Sequence, residues 1–149
     1  PWDDYRATIA VNQDGAWHTS RAAARVLGAQ GEGGRIIVIS SIGGLVGIAV
    51  GAHYVMSKHA VMGLVRVLSR QLAGSGITVN AINPGYARTQ MNAPVLADAG
   101  YLARVEAETP MGRLAEPDDI AGAAYFLASA DAAYVTGIAL PVDGGYTAI

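Results

Sequence analysis

The sequence predicts an α/β fold with a parallel sheet. Three observations carry this. Short, uninterrupted β-branched runs alternate with longer segments of helical periodicity. Each run is bounded by glycine, serine, asparagine or aspartate. The order along the chain is helix-strand-helix-strand-helix-strand, so every strand-to-strand connection contains a helix, as a parallel sheet requires. At 149 residues the chain has the size of one ordinary domain.

The first helix is expected from Asp3 to about Gln30. Acidic residues suit its start, and Gly28 and Gly31 suit its end. Gly15 falls inside it and predicts a local irregularity there. Arg35 to Ile39 reads as a strand buried on both faces, because it is continuously apolar after its first residue. A glycine-rich loop, Ser41 to Gly51, leads to a second helix from about Ala52 to Ala73. Val61, Leu64, Val65, Leu68 and Leu72 share one of its faces.

Ile77 to Ile82 is a second strand, ended by Asn83-Pro84-Gly85. Helical pieces are expected between Val95 and Glu108. Pro117-Asp118-Asp119 opens a third helix, running to about Ser129, and Gly137 to Val142 is a third strand. Ligands of parallel sheets lie beyond the carboxyl ends of the strands. The segments to watch are therefore Ser40-Ser41, Asn83 to Thr89 and Asp143 to Gly145.

Composition excludes several classes of function. Hydrophobic residues make up 52% and charged residues 15%, with a mean hydropathy of +0.30, so the chain is no disordered segment. No apolar run reaches the ~20 residues of a membrane span. There is no cysteine, hence no disulfide scaffold and no thiolate chemistry. The net charge of −2, without a basic cluster, argues against nucleic acid or an anionic membrane as partner. Pro1-Trp2-Asp3-Asp4 does not resemble a signal peptide, and a cytoplasmic location is expected. His53 and His59 lack acidic neighbours, so no metal site is expected. Trp2, Trp17 and Phe126 read as packing anchors.

Of the ten Lys and Arg residues only one is lysine, Lys58. It follows Tyr54 by four positions, about 40° around a helix, so the two share a face. A tyrosine hydroxyl is ordinarily too weak an acid for easy proton exchange at neutral pH, and a nearby ammonium favours its phenolate. The plain alternative is a surface lysine beside a core tyrosine. Ser41 stands at a ligand-facing strand end, 13 residues before Tyr54. Its hydroxyl can donate to a substrate oxygen; the alternative is a turn cap, a role that Ser40 also suits.

Ile39-Ser40-Ser41 with Tyr54-Val55-Met56-Ser57-Lys58 resembles the Ser and Tyr-x-x-x-Lys motifs of the short-chain dehydrogenase/reductase family. Asn83-Pro84-Gly85 with Thr89, Tyr134-Val135-Thr136-Gly137 with Val142-Asp143-Gly144-Gly145, Val11-Asn12, and Pro110 to Arg113 before Glu116 to Ile120 are similar to further signatures of that family. The resemblance covers the whole chain in the same order and spacing.

It implies a Rossmann-type doubly wound sheet, of which these 149 residues are the second, catalytic half. The glycine-rich phosphate turn of the first half is absent: neither Gly31-Glu32-Gly33-Gly34 nor Gly43-Gly44 has the required strand-turn-helix context. The outer edge of the Arg35 to Ile39 strand would then be unpaired. By the same resemblance the enzyme uses NAD or NADP and interconverts a secondary alcohol and a ketone. Tyr54 exchanges the proton, Lys58 assists it and binds the nicotinamide ribose, and Ser41 holds the substrate oxygen. Asn12 anchors a water leading to Lys58.

Pro84, Gly85 and Ala87 lie along the nicotinamide in this reading, with Thr89 on its carboxamide. Ala87 is smaller than the family's usual Ile or Val. Gln90 to about Glu108 forms a lid. From their positions beside Tyr54 and in the lid, His53 and Met91 are candidates to reach the substrate; the alternatives are a helix-start residue for His53 and a core filler for Met91. The segments Thr89 to Asp98 and Thr109 to Arg113 resemble gluconate-dehydrogenase-like members, which act on sugar acids. Only Arg88, Arg104 and Arg113 are available near the lid to hold a carboxylate. A small polyol, a sugar acid and a 3-oxoacyl-type ketone remain open as substrates. The resemblance also implies a homodimer or homotetramer built through the first two helices. The alternative function is a non-catalytic oligomerisation module, because the isolated half lacks much of a dinucleotide site.

Overall fold

A computed structural model describes residues 1–148. Its elements are α1 (Trp2–Ile9), a π-helical turn (Ala10–Asp14), α2 (Gly15–Gln30), β1 (Gly34–Ile39), a 3-10 turn (Ile42–Gly44), α3 (Ala52–Leu72), β2 (Ile77–Pro84), α4 (Ala93–Leu96), α5 (Ala99–Glu108), α6 (Pro117–Ala128) and β3 (Ala139–Val142). The strands form one parallel sheet in the order β1-β2-β3.

Side chains of β1 alternate between the two faces of the sheet. Ile36 packs with Val61, Met62, Val65 and Leu68 of α3, with Ala23, Ala24 and Leu27 of α2 around them. Ile37 belongs to the opposite cluster, with Leu127 and Ile120 of α6 and Ile82 of β2. The apolar stripe expected on α3 therefore faces the sheet, and helices cover both faces. β2 is the central strand; its residues Ile77 to Asn83 are all buried.

Four expectations need correction. β1 is not buried on both faces: only Ile36 is buried, and Ile39 is 52% exposed. The reason is the unpaired outer edge already expected of this strand: among the described residues none pairs with it, and an open groove of about 520 Å³ runs there. The first helix is irregular over Ala10–Asp14, just before Gly15, which itself begins a regular helix. Gly31, with φ +72, ends that helix; Gly28 lies within it. β2 continues to Pro84, and β3 begins only at Ala139.

Trp2, Trp17 and Phe126 are not packing anchors. They are 68%, 48% and 41% exposed, and Trp17 only borders a cleft with Ala60, Val61 and Leu64 of α3. Trp2 stacks only on Tyr5, with ring centroids 5.0 Å apart.

Candidate active site

β1 delivers Ser41 to the carboxyl end of the sheet. There the chain leaves the strand and tightens into the Ile42–Gly44 turn. The Gly43 N–H donates to Ser41 Oγ at 3.0 Å, so Ser41 is the residue that caps this turn. Its own O–H is left to donate elsewhere. Ser40, the other candidate cap, donates instead to the Lys58 main-chain oxygen at 3.3 Å.

The turn packs on the first part of α3. A side-chain carbon on Gly43 would lie 3.3 Å from Tyr54 Cε1, and one on Gly44 would lie 2.8 Å from the Lys58 carbonyl oxygen. Two glycines thus bring the serine turn against the tyrosine and the lysine together.

Ser41, Tyr54, Gly85 and Met91 line one cavity of about 360 Å³. Its other walls are largely apolar: Ile42, Ile48, Val50 and Leu114, with Val95 and Leu96 of α4. Tyr86 and Tyr101 add two hydroxyls, and Asn92 an amide. Tyr86 packs edge-on against Tyr146, and burial, then its tyrosine neighbours, push its pKa up to about 12. It stays neutral, so its polar tip offers hydrogen bonding without charge.

Lys58 Nζ lies 5.6 Å from the Tyr54 ring centroid. Burial lowers the Lys58 pKa. The ammonium makes no salt bridge among the described residues. Lys58 lines the groove beside β1 together with Asn12 and Ile39. Asn12 sits in the π-helical turn, and its Nδ2 donates to Ser57 Oγ at 3.1 Å. Ser57 in turn donates to the Tyr54 carbonyl at 2.7 Å. The widened turn thereby links Asn12 to the helix that carries Tyr54 and Lys58.

The remaining expected residues lie further out. Pro84 ends β2. Ala87 forms an isolated bridge with Ala115, and its carbonyl accepts from Asn92 Nδ2 at 2.9 Å. Thr89 is exposed, and its hydroxyl oxygen accepts from the Asn92 N–H at 3.4 Å. His53 does not line the cavity; its ring lies against Gly51. Ser40 and Asn83 fell within the strand-end segments to watch, and Ser57 within the tyrosine-lysine motif, but none of the three was given a role in the site. Their one signal was adjacency to Ser41, Lys58 and Pro84.

None of the three lid arginines lines the cavity. Arg88 pairs with Glu106 and Glu116, Arg113 with Asp119, and Arg104 lies over the Tyr101 ring. No helix among the described residues is long and apolar enough to cross a membrane.

A family model described as enoyl-(acyl carrier protein) reductase matches residues 1–147. L-rhamnose 1-dehydrogenase (NAD(P)(+)) of Azotobacter vinelandii is 44% identical over 145 residues, which are 97% of this chain and 57% of that relative. Galactitol 2-dehydrogenase (L-tagatose-forming) of Cereibacter sphaeroides is 43% identical over 148 residues, 96% of this chain and 57% of the relative. The crystal structure of a gluconate 5-dehydrogenase from Burkholderia cenocepacia in complex with NADP and tartrate superposes with a TM-score of 0.94. It is 37% identical and is covered to 57% of its length by 99% of this chain. The chain thus spans a little over half the length of the relatives it matches, 57% in each of these three. On the family match and these identities, the 149 residues belong to the short-chain dehydrogenase/reductase family.

Proposed function

We propose that these residues are the catalytic half of an NAD(P)-dependent dehydrogenase that interconverts a secondary alcohol and a ketone. Tyr54 is its acid/base. The observation that carries the reading is that Ser41 and Tyr54 line one cavity while Lys58 Nζ stands 5.6 Å from the Tyr54 ring.

The donor set fits the nicotinamide end of a dinucleotide. A half-buried ammonium without an ion pair sits beside a tyrosine, next to the carboxyl ends of β1 and β2. Lys58 and Tyr54 would hold that end, with Pro84, Gly85, Ala87 and Thr89 along it. A cradle for the phosphates belongs to an amino-terminal half that precedes these residues in the complete enzyme. Bound NAD or NADP supplies or accepts the hydride.

The rest of the chemistry falls to this chain. In reduction, the Ser41 O–H donates to the substrate oxygen and steadies its developing charge. The Tyr54 O–H delivers the proton to the same oxygen, and the Lys58 ammonium stabilises the phenolate left behind. In oxidation Tyr54 takes the proton from the alcohol. Asn12 faces the same groove as Lys58, where a water can pass protons onward. The lid is α4 and α5, whose Val95, Leu96 and Tyr101 line the cavity.

No cation lines the cavity; Arg88 and Arg113 are paired with carboxylates, and Arg104 lies against the Tyr101 ring. Among the three candidate classes this favours a neutral polyol or sugar over a sugar acid. The names of the rhamnose and galactitol dehydrogenases agree with that choice. Trp17, Met56 and Val67 on the outer surfaces of α2 and α3 are exposed and suit the expected dimer or tetramer contact.

The test is to supply the complete enzyme with NAD or NADP and a panel of neutral sugars, polyols and sugar acids. Reduced dinucleotide is expected with neutral substrates. Turnover of sugar acids alone would remove the substrate assignment, and no turnover of any alcohol or ketone would remove the activity.

A further inference from the structure

Asn83 is fully buried at the carboxyl end of β2 and takes no part in the chemistry above. Its place follows from the sheet. The Ser40 N–H donates to the Ile82 oxygen at 2.8 Å, continuing the parallel ladder past β1. The next rung would need an N–H from residue 84, which is proline and has none. The backbone of β2 therefore cannot hold the departing chain any further. The side chain of Asn83 does so instead: its Nδ2 donates to the Ser41 main-chain oxygen at 2.7 Å.

This arrangement carries a cost. Asn83 Oδ1 is buried and has no hydrogen-bond partner among the described residues. An apolar side chain of similar volume would avoid that penalty. What the amide provides is control of Ser41. That residue is extended, with φ −173 and ψ 161, directly before the tight turn. Asn83 holds its carbonyl from one side, and the Gly43 N–H holds its Oγ from the other. Its O–H is the group left to turn toward the cavity.

We propose that Asn83 is a positioning residue for Ser41, fixing the direction in which its hydroxyl meets the substrate oxygen. The inference rests on the reading that Ser41 binds that oxygen.

A double-mutant cycle in the complete enzyme tests it. Ser41→Ala is expected to lower kcat about a hundredfold. Asn83→Leu removes the amide at similar volume and is expected to lower kcat about tenfold, with the dinucleotide KM unchanged. In the Ser41→Ala background, Asn83→Leu is expected to change kcat less than about twofold, because the group it positions is gone. An equal loss in both backgrounds, or no loss in either, overturns the proposal and leaves the role of Ser41 standing. Full turnover by Ser41→Ala overturns the reading beneath it. If Asn83→Leu does not fold, the smaller Asn83→Ala replaces it; failure of both to fold makes Asn83 a purely structural residue and overturns the proposal.

Discussion

Lys58 Nζ stands 5.6 Å from the centre of the Tyr54 ring, one helical turn away on α3. The ammonium is half-buried, and burial lowers its pKa. A charge placed there costs the fold something and is not repaid by an ion pair. Lys58→Met removes it. The unfolded chain holds the Lys58 proton more tightly than the folded one, so this group makes stability rise with pH between its lowered value and that of an ordinary lysine. Lys58→Met is expected to abolish that rise, to leave the melting temperature near neutral pH unchanged or higher, and to lose turnover. A clear fall in melting temperature would count against the view that Lys58 serves chemistry rather than the fold.

Gly44 tests how the serine turn meets α3. A methyl group there would come within 2.8 Å of the Lys58 carbonyl oxygen, which is backbone and cannot swing aside. Gly44→Ala is expected to cost about 1–3 kcal/mol in urea denaturation and to lower turnover by separating Ser41 from Tyr54. Wild-type stability would show that the contact is looser than the geometry states.

Asp119 makes the fold acid-sensitive at the start of α6. Its carboxylate accepts from Arg113 at 2.7 and 3.0 Å and from the Glu116 N–H at 2.8 Å. The Arg113 hydrogen bonds, then that of Glu116, lower its pKa to about 2. Its stabilisation is therefore complete above the ordinary carboxylate range and is lost as pH falls toward the lowered value. Asp119→Asn is expected to melt lower than wild type near neutral pH, with the gap closing as pH falls from about 4 toward about 2. A gap that ignores pH would remove the ionised carboxylate from the explanation.

The outer edge of β1 has no strand beside it among the described residues, and Ile39 is 52% exposed there. Such an edge invites pairing with another chain. The 149-residue chain alone is expected to elute as soluble oligomers or aggregates in size-exclusion chromatography, and Ile39→Lys to shift it toward monomer. Identical elution of the two would place the association elsewhere.

Much of this was legible in the sequence because local signals agreed. Short apolar runs between turn residues marked all three strands, and β-branched residues dominate the first. The stripe of Val61, Val65 and Leu68 gave the buried face of α3. The Tyr54–Lys58 spacing already placed both on one helical face. What escaped depends on contacts between distant segments. The π-helical turn positions Asn12 to meet Ser57, 45 residues away. Ser40 and Asn83 act on carbonyls 18 and 42 residues distant, and no local pattern announces such pairs. Trp2, Trp17 and Phe126 were misread because apolar character shows that a face prefers cover and does not show whether this chain supplies it.

The most direct test of the central claim is Tyr54→Phe in the complete enzyme, measured for both turnover and dinucleotide affinity. The change removes one oxygen and leaves the ring that faces Lys58. Turnover is expected to fall at least about a hundredfold, the scale of a lost general acid, with dinucleotide affinity within a few-fold of wild type. Turnover close to wild type would contradict the assignment of Tyr54 as the proton donor.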